Sequence, residues 1–255
     1  MEPTRQIEVL ALIPARGGSK TIPRKNIKDF AGYPLISYSI AAGLQSEMIT
    51  RVIVSTDDEE IAEISRRYGA EVPFIRPAAY SQDQTPDLPV FEHALNWLKE
   101  HEGYQPEIVV QLRPTSPLRR MWHIDQAVWK LIQHPQADSI RTVVIPFQNP
   151  YKMWTIDENG LMHPLLETGF KEPYNMPRQA LPDAYWQTGY VDAAWRKTIM
   201  DKHSMTGNRI LPLIIDPGDW VDLDSPEDWQ RAEHLILNKV LSLEIFGFQI
   251  KEMEW

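Results

Sequence analysis

The stretch Val9-Leu10-Ala11-Leu12-Ile13-Pro14-Ala15-Arg16-Gly17-Gly18-Ser19-Lys20-Thr21-Ile22-Pro23-Arg24-Lys25-Asn26 decides how the rest of the chain reads. Its apolar part, Val9 to Ile13, has the length and branching of a short buried strand, which the Gly17-Gly18 turn breaks. Four cations follow within ten residues (Arg16, Lys20, Arg24 and Lys25), and no acid intervenes before Asp29. The whole chain carries a formal net charge of −9, so this reversal of sign is local. A glycine turn lets backbone N–H groups approach a ligand closely, and long cations add charge-assisted hydrogen bonds. A polyphosphate suits both. No Gly-Lys-Ser/Thr closes the loop as in a Walker A sequence, and no Gly-x-Gly-x-x-Gly is present.

These residues resemble the signature loop of the CMP-N-acylneuraminate synthetases, the cytidylyltransferases that activate sialic acids. The resemblance implies that the loop, through Ala15, Arg16, Gly17, Gly18, Ser19, Lys20, Lys25 and Asn26, holds a nucleoside triphosphate. Arg16 and Lys25 fall on the family's phosphate-contacting Arg and Lys. Thr21 departs from the usual Gly.

At 255 residues, with 43% hydrophobic and 24% charged side chains, the chain suits one large α/β domain with an insertion. No apolar run is long enough to span a bilayer, and the N-terminus does not read as a signal peptide, so a cytoplasmic location is expected. Cysteine is absent, which excludes disulfides, thiolate metal sites and a Cys nucleophile. The acidic balance argues against a nucleic-acid partner.

Strand patterns at Arg51–Thr56, Val72–Ile75, Ile108–Leu112 and Ser139–Pro146 alternate with helix patterns at Pro34–Ala42, Ile61–Tyr68, Leu88–His101 and His123–Gln133. Asp57 and Asp58 read as helix-capping acids. This alternation implies an α/β fold with a doubly wound, mostly parallel, Rossmann-like sheet. Proline and aromatic residues dominate from 148 to 208, which reads as an inserted lobe. The core resumes at Ile210–Ile215 and closes with a helix from Pro226 to about Leu241, ahead of a tail over 242–255. The expected domains are a core of 1–147 and 209–241, and a lobe of 148–208.

Asp222-Leu223-Asp224 precedes Ser225-Pro226, a helix start. Alternate residues of an extended segment face one way, so both carboxylates can share a site, and hard oxygen donors suit Mg²⁺ held jointly with phosphates. The triplet also reads as helix-flanking acids with Ser225 as the cap. The same triplet serves in Mg²⁺ binding in the synthetases, and the polyphosphate loop favours the metal reading. Arg16, Lys25, Asp222 and Asp224 are thus the candidate catalytic residues, with Mg²⁺ the expected cofactor.

Gln111-Leu112-Arg113-Pro114-Thr115-Ser116-Pro117-Leu118-Arg119 resembles the family's Leu-Leu-Gln-Pro-Thr-Ser-Pro-Leu-Arg. That implies nucleotide contacts for Thr115, Ser116 and Arg113. Arg113 replaces the family Gln; Arg only donates, which suits a guanine edge better than cytosine's mixed edge. CTP is the first choice and GTP stays open. Arg76, Asp83 and Thr85 fall in a loop resembling the segment that lies over the nucleotide.

Within the insertion, Lys152 in Asn149-Pro150-Tyr151-Lys152 and Arg178-Gln179 in Pro177-Arg178-Gln179-Ala180-Leu181-Pro182 match sugar-side elements of the family. Gln187 joins them as a candidate. A planar Arg and a Lys suit the carboxylate of a nonulosonic acid. Thr188-Gly189-Tyr190-Val191-Asp192 departs from the family's Asn-Gly-Ala-x-Tyr. The resemblance spans roughly residues 7 to 237. It implies nucleotidyl transfer to a sialic-type acid with release of pyrophosphate, and a homodimer formed through the lobe. Two rivals are a metal-dependent glycosyltransferase and a nucleotide-binding regulatory protein without turnover.

Overall fold

A computed structural model of the protein describes residues 7–237, so the tail over 242–255 and the expected helix end near Leu241 lie outside the described residues. The strands are β1 (Val9–Pro14), β2 (Asp29–Phe30), β3 (Tyr33–Pro34), β4 (Arg51–Ser55), β5 (Ile108–Gln111), β6 (Ser139–Val144), β7 (Trp154–Ile156), β8 (Met162–Pro164), β9 (Trp186–Trp195) and β10 (Ile210–Ile214). The helices are α1 (Leu35–Gln45), α2 (Glu59–Arg67), α3 (Asp87–Glu102), α4 (Met121–Gln133), α5 (Arg196–Met200) and α6 (Pro226–Leu237).

Six strands form one sheet in the order β10-β6-β9-β5-β1-β4. β1 runs parallel to β4 and β5, and β10 runs parallel to β6. Only β9 is antiparallel, and it joins the two parallel groups at the centre of the sheet. The sheet is therefore mostly parallel, as the alternation of strands and helices requires.

Both faces of β1 are buried. Val9, Ala11 and Ile13 pack with Ile36 and Ile40 of α1 and Ile124 and Val128 of α4. Leu10 and Leu12 pack on the opposite face with Phe91, Leu95 and Leu98 of α3. That two-sided burial explains why the strand reads as a continuous apolar run. The described part of α6 closes a third cluster, in which Phe30, Tyr38, Leu223 and Trp229 pack with Ile22 of the loop that follows the glycine turn. Phe30 meets Tyr38 and Trp229 edge to face, at ring separations of 5.4 and 5.2 Å.

Two expectations need correction. The 148–208 stretch is not all insertion, because the chain re-enters the sheet at Trp186 as β9, with Thr188 to Ala194 buried. A strand covered on both faces loses the two-residue alternation that marks half-buried strands, and Gly189 and Asp192 break its apolar run. The residues outside the sheet are thus 145–185, built from the β7–β8 hairpin and short 3₁₀ turns. Val72–Ile75 is not a full strand either. It meets β4 only through isolated bridges, Ile53 with Glu71 and Thr56 with Ile75.

Candidate active site

Ligands of open α/β sheets bind beyond the carboxyl ends of the parallel strands. There, a cleft of about 260 Å³ gathers residues from four segments: Arg16, Ser19, Lys25 and Asn26 after β1; Arg76, Asp83 and Thr85 before α3; Asp87 on α3; and Arg113 and Thr115 after β5.

The loop after β1 is fixed by its own backbone. Ala15 N–H donates to Ser55 O at 3.0 Å and extends the sheet pairing. Gly17 N–H donates to Asp57 Oδ1 at 3.0 Å, so Asp57 secures the loop while Asp58 alone caps α2. A Cβ at Gly17 would lie 2.7 Å from Asp58 Oδ2, so a larger residue there would have to displace that carboxylate. Gly18 faces open space. Buried Asn26 donates from Nδ2 to Arg16 O at 2.9 Å and ties the two ends of the turn together. Arg24 adopts a left-handed backbone (φ 53°) and pairs with Asp58 and Glu60, which turns the adjacent Lys25 inward.

Lys25 Nζ donates to Leu223 O at 3.0 Å, and Leu223 N–H donates to Thr115 O at 3.0 Å. Leu223 is fully buried in the third cluster, which anchors the Asp222-Leu223-Asp224 segment against the loop. Burial pushes the Lys25 ammonium down, opposed by Asp224 and Asp222. Burial also pushes the Asp222 carboxyl up; a bond from the Thr115 side chain opposes this, and the charge of Asp224 adds to it. Ser225 and Asp228 bond reciprocally, with Ser225 N–H to Asp228 Oδ2 at 3.0 Å and Asp228 N–H to Ser225 Oγ at 3.1 Å, forming a capping box at the start of α6. Ser225 thus caps the helix, leaving Asp222 and Asp224 beside Lys25.

The other cleft cations are paired with acids. Arg16 donates to Asp83 at 2.7 Å, and Lys20 pairs with the same carboxylate. Arg76 is buried, donates to Ser81 Oγ at 3.0 Å and lies 3.8 Å from Asp57. Arg113 donates to Asp87 at 2.6 Å and to Asp192 at 3.2 Å. Ser116, read as a nucleotide contact, is buried and is not among the residues that line the cleft, whereas Thr115 is.

A family model of cytidylyltransferases matches residues 10–163, which hold the glycine turn and the Arg113–Ser116 segment. The chain belongs to the cytidylyltransferase family. It is 36% identical over 232 residues to the pseudaminic acid cytidylyltransferase of Campylobacter jejuni subsp. jejuni serotype O:2, covering 91% of this chain and 96% of that one. It is 31% identical to the CMP-N,N'-diacetyllegionaminic acid synthase of Legionella pneumophila, with 90% and 97% covered. It is 40% identical to the N-acylneuraminate cytidylyltransferase of Escherichia coli O18:K1:H7, with 88% of this chain and 51% of that protein covered. In fold it matches the CMP:2-keto-3-deoxy-manno-octonic acid synthetase complexed with CTP, at a TM-score of 0.68 and 16% identity, covering 91% of this chain and 99% of that one.

The sugar-side candidates of this cytidylyltransferase sit apart from the cleft lining. Lys152 Nζ donates to the carbonyls of Met176 at 2.8 Å and Tyr174 at 3.2 Å. Arg178 donates to Pro146 O at 2.9 Å and, with Gln179, lines a separate recess. Gln187 is exposed at the start of β9, opposite Val143. The sequence reading gave no role to Asp87 or Asp192. An acid inside an apolar strand, as Asp192 is, was the available signal. Among the described residues no group of three or more His, Cys, Asp or Glu gathers as a metal cluster, and no helix is long and apolar enough to cross a membrane.

Proposed function

We propose that this cytidylyltransferase transfers the CMP group of CTP to the anomeric hydroxyl of a nonulosonic acid and releases pyrophosphate. One observation carries the reading: Lys25 links the glycine turn to the Asp222–Asp224 segment, so triphosphate cations and a carboxylate pair meet at one strand edge. The hydroxyl loses its proton to solvent as its oxygen bonds to the α-phosphorus, the bond from that phosphorus to the β-bridging oxygen breaks, and pyrophosphate leaves with the electron pair. Such a reaction calls mainly for positioning and charge neutralisation. Arg16 and Lys20 exchange Asp83 for phosphate oxygens, and Lys25 holds the phosphate nearest Asp222.

A carboxylate whose ionisation is disfavoured by burial and by the charge of a neighbouring acid, as that of Asp222 is, suits a divalent cation held jointly with that neighbour. Asp222 and Asp224 would hold it, and the ion would supply charge neutralisation for the reacting phosphate. The cytidylyltransferase relatives support CTP over GTP, and the Arg113 donors face Asp87 and Asp192 and present no bare bidentate pair to a guanine edge.

The second copy in the proposed homodimer would cover exposed apolar side chains near the lobe, among them Ile145, Phe147, Ile156, Leu161 and Trp186, of which Phe147 is 90% exposed. A CTP-dependent reaction of this kind also implies a cytoplasmic enzyme. The test is pyrophosphate release with Mg²⁺, crossing CTP, GTP, UTP and ATP against N-acetylneuraminic, pseudaminic and N,N'-diacetyllegionaminic acids. Release with CTP and one of these acids is expected. Release with GTP alone would sink the choice of base, and CTP binding without turnover would point to a regulatory protein.

A further inference from the structure

The turn that follows β5 is held in place by a side chain outside the cleft. Arg119 is only 1% exposed, and among the described residues no acid pairs with it. Its guanidinium donates instead to three oxygens from three parts of the fold. Nε donates to Tyr190 O on β9 at 2.5 Å, Nη1 to Ser39 Oγ on α1 at 2.8 Å, and Nη2 to Arg113 O at 2.7 Å. The Arg113 carbonyl also accepts from Ser39 Oγ at 3.2 Å and from Ser116 N–H at 3.4 Å, so three donors converge on one oxygen. Burial pulls the Arg119 guanidinium down to about 10, which leaves it charged at neutral pH. An interior charge without a counter-ion is costly, and an apolar side chain of similar volume would avoid that cost. The charge is kept for what its geometry holds.

Resting on the cytidylyltransferase reading, we infer that Arg119 is a positioning residue, which fixes the Arg113–Ser116 turn and through it sets where Asp222 and Asp224 present their carboxylates. The connection runs through main-chain bonds. Thr115 O, two residues beyond the held carbonyl, accepts from Leu223 N–H at 3.0 Å, and Leu223 O accepts from Lys25 Nζ at 3.0 Å. Leu223 lies between the two acids in the chain, so a shift of the turn moves both carboxylates and the phosphate-loop lysine that meets them. Ser39 and Tyr190, which take the other two Arg119 bonds, are fully buried in α1 and β9 and give the turn a rigid reference. The residue type follows from this arrangement. A guanidinium presents donors on several sides of one fixed plane, whereas a Lys ammonium is a point donor on a flexible stem.

The test compares Arg119→Lys and Ser39→Ala with the wild type, at a temperature where circular dichroism shows each to be folded. One readout is kcat for pyrophosphate release with CTP, Mg²⁺ and the acid that the wild type accepts. The other needs no turnover: the affinity for Mn²⁺, followed by the EPR signal of the free ion, in protein saturated with a CTP analogue whose α- and β-phosphorus are bridged by methylene. Arg119→Lys, which keeps the charge but not the fork, is expected to lower kcat by about tenfold to a hundredfold and weaken Mn²⁺ binding by about tenfold. Ser39→Ala leaves the buried charge in place and removes one acceptor of Arg119 together with one donor to Arg113 O. It should give both changes at about threefold, and it decides the matter if Arg119→Lys fails to fold. A role confined to stability would lower the melting temperature yet leave kcat and Mn²⁺ affinity within about twofold of wild type in the folded variants. That result would overturn the inference and leave the enzyme's activity in place. A wild-type protein silent with CTP and all three acids would overturn the underlying reading instead, and the Mn²⁺ measurement would still decide the role of Arg119.

Discussion

The cleft at the carboxyl edge of the sheet and the lobe over 145–185 both carry cations, but they use them differently. In the cleft, Arg16, Lys20 and Arg113 face side-chain carboxylates. In the lobe, Lys152 and Arg178 donate to main-chain carbonyls and so hold the lobe's own turns in shape. The lobe has few regular elements to satisfy its backbone, whereas the cleft stands on strands whose backbone is already paired. Matching residue types to a motif therefore places a cation without saying what it is free to bind.

Four substitutions sharpen or break that contrast. The largest effect is expected for Asp224→Asn, which should lower turnover by about a hundredfold or more while leaving the melting temperature unchanged, because the side chain is exposed. Near-normal turnover would remove the carboxylate pair from the chemistry. Next is Asp138→Asn, which tests a permanent pair at the opposite edge of the sheet. Asp138 accepts from Lys202 Nζ at 2.6 Å and from the N–H groups of Asn208 and Arg209 at 2.8 and 3.1 Å, and these bonds hold its carboxyl down at about 2. A depressed acid stabilises the fold above its unfolded pKa, here about 4, and the gain fades as pH falls toward 2. Its loss should cost about 2 kcal/mol at neutral pH, with the difference from wild type shrinking on acidification. Denaturant melts at pH 7 and pH 3 decide this.

Lys152→Met should cost about 1 kcal/mol through the lost carbonyl bonds and speed proteolysis within the lobe, with CTP affinity unchanged. A specific rise in the KM for the sugar acid, with the lobe still protected, would instead return Lys152 to the substrate. The smallest effect belongs to Asp83→Ala. Exposed ion pairs contribute little, so CTP affinity measured by calorimetry should change by less than about fivefold, toward tighter binding, if Asp83 merely occupies Arg16 and Lys20. A large loss of affinity would make Asp83 a nucleotide ligand.

Much of the cleft was legible. Gly17 and Gly18, the run of cations and Asp222-Leu223-Asp224 are local patterns, and the chain pairs them with short-range structure that their spacing already implies. The apolar run of β1 and the capping acid Asp58 read correctly for the same reason. β9 was not legible, because burial on both faces removes alternation and its antiparallel course needs no helical crossover to announce it. The burial of Ser116 was not legible, because a turn motif does not state which of two adjacent hydroxyls faces the cleft.

The sequence by itself determined that the chain is an α/β protein with a glycine-rich, cation-bearing turn after its first strand and an acid pair before its last helix. These follow from the period of apolar residues and from the local chemistry of Gly, Lys, Arg and Asp. Only the tertiary structure decided which charges meet. Lys25 reaches Leu223 across 198 positions, and Arg113 is held between Asp87 and Asp192, which come from a helix and a strand far apart in sequence. Partners of that kind are chosen by the sheet order, and sheet order depends on how several elements bury their faces together, which no single segment encodes.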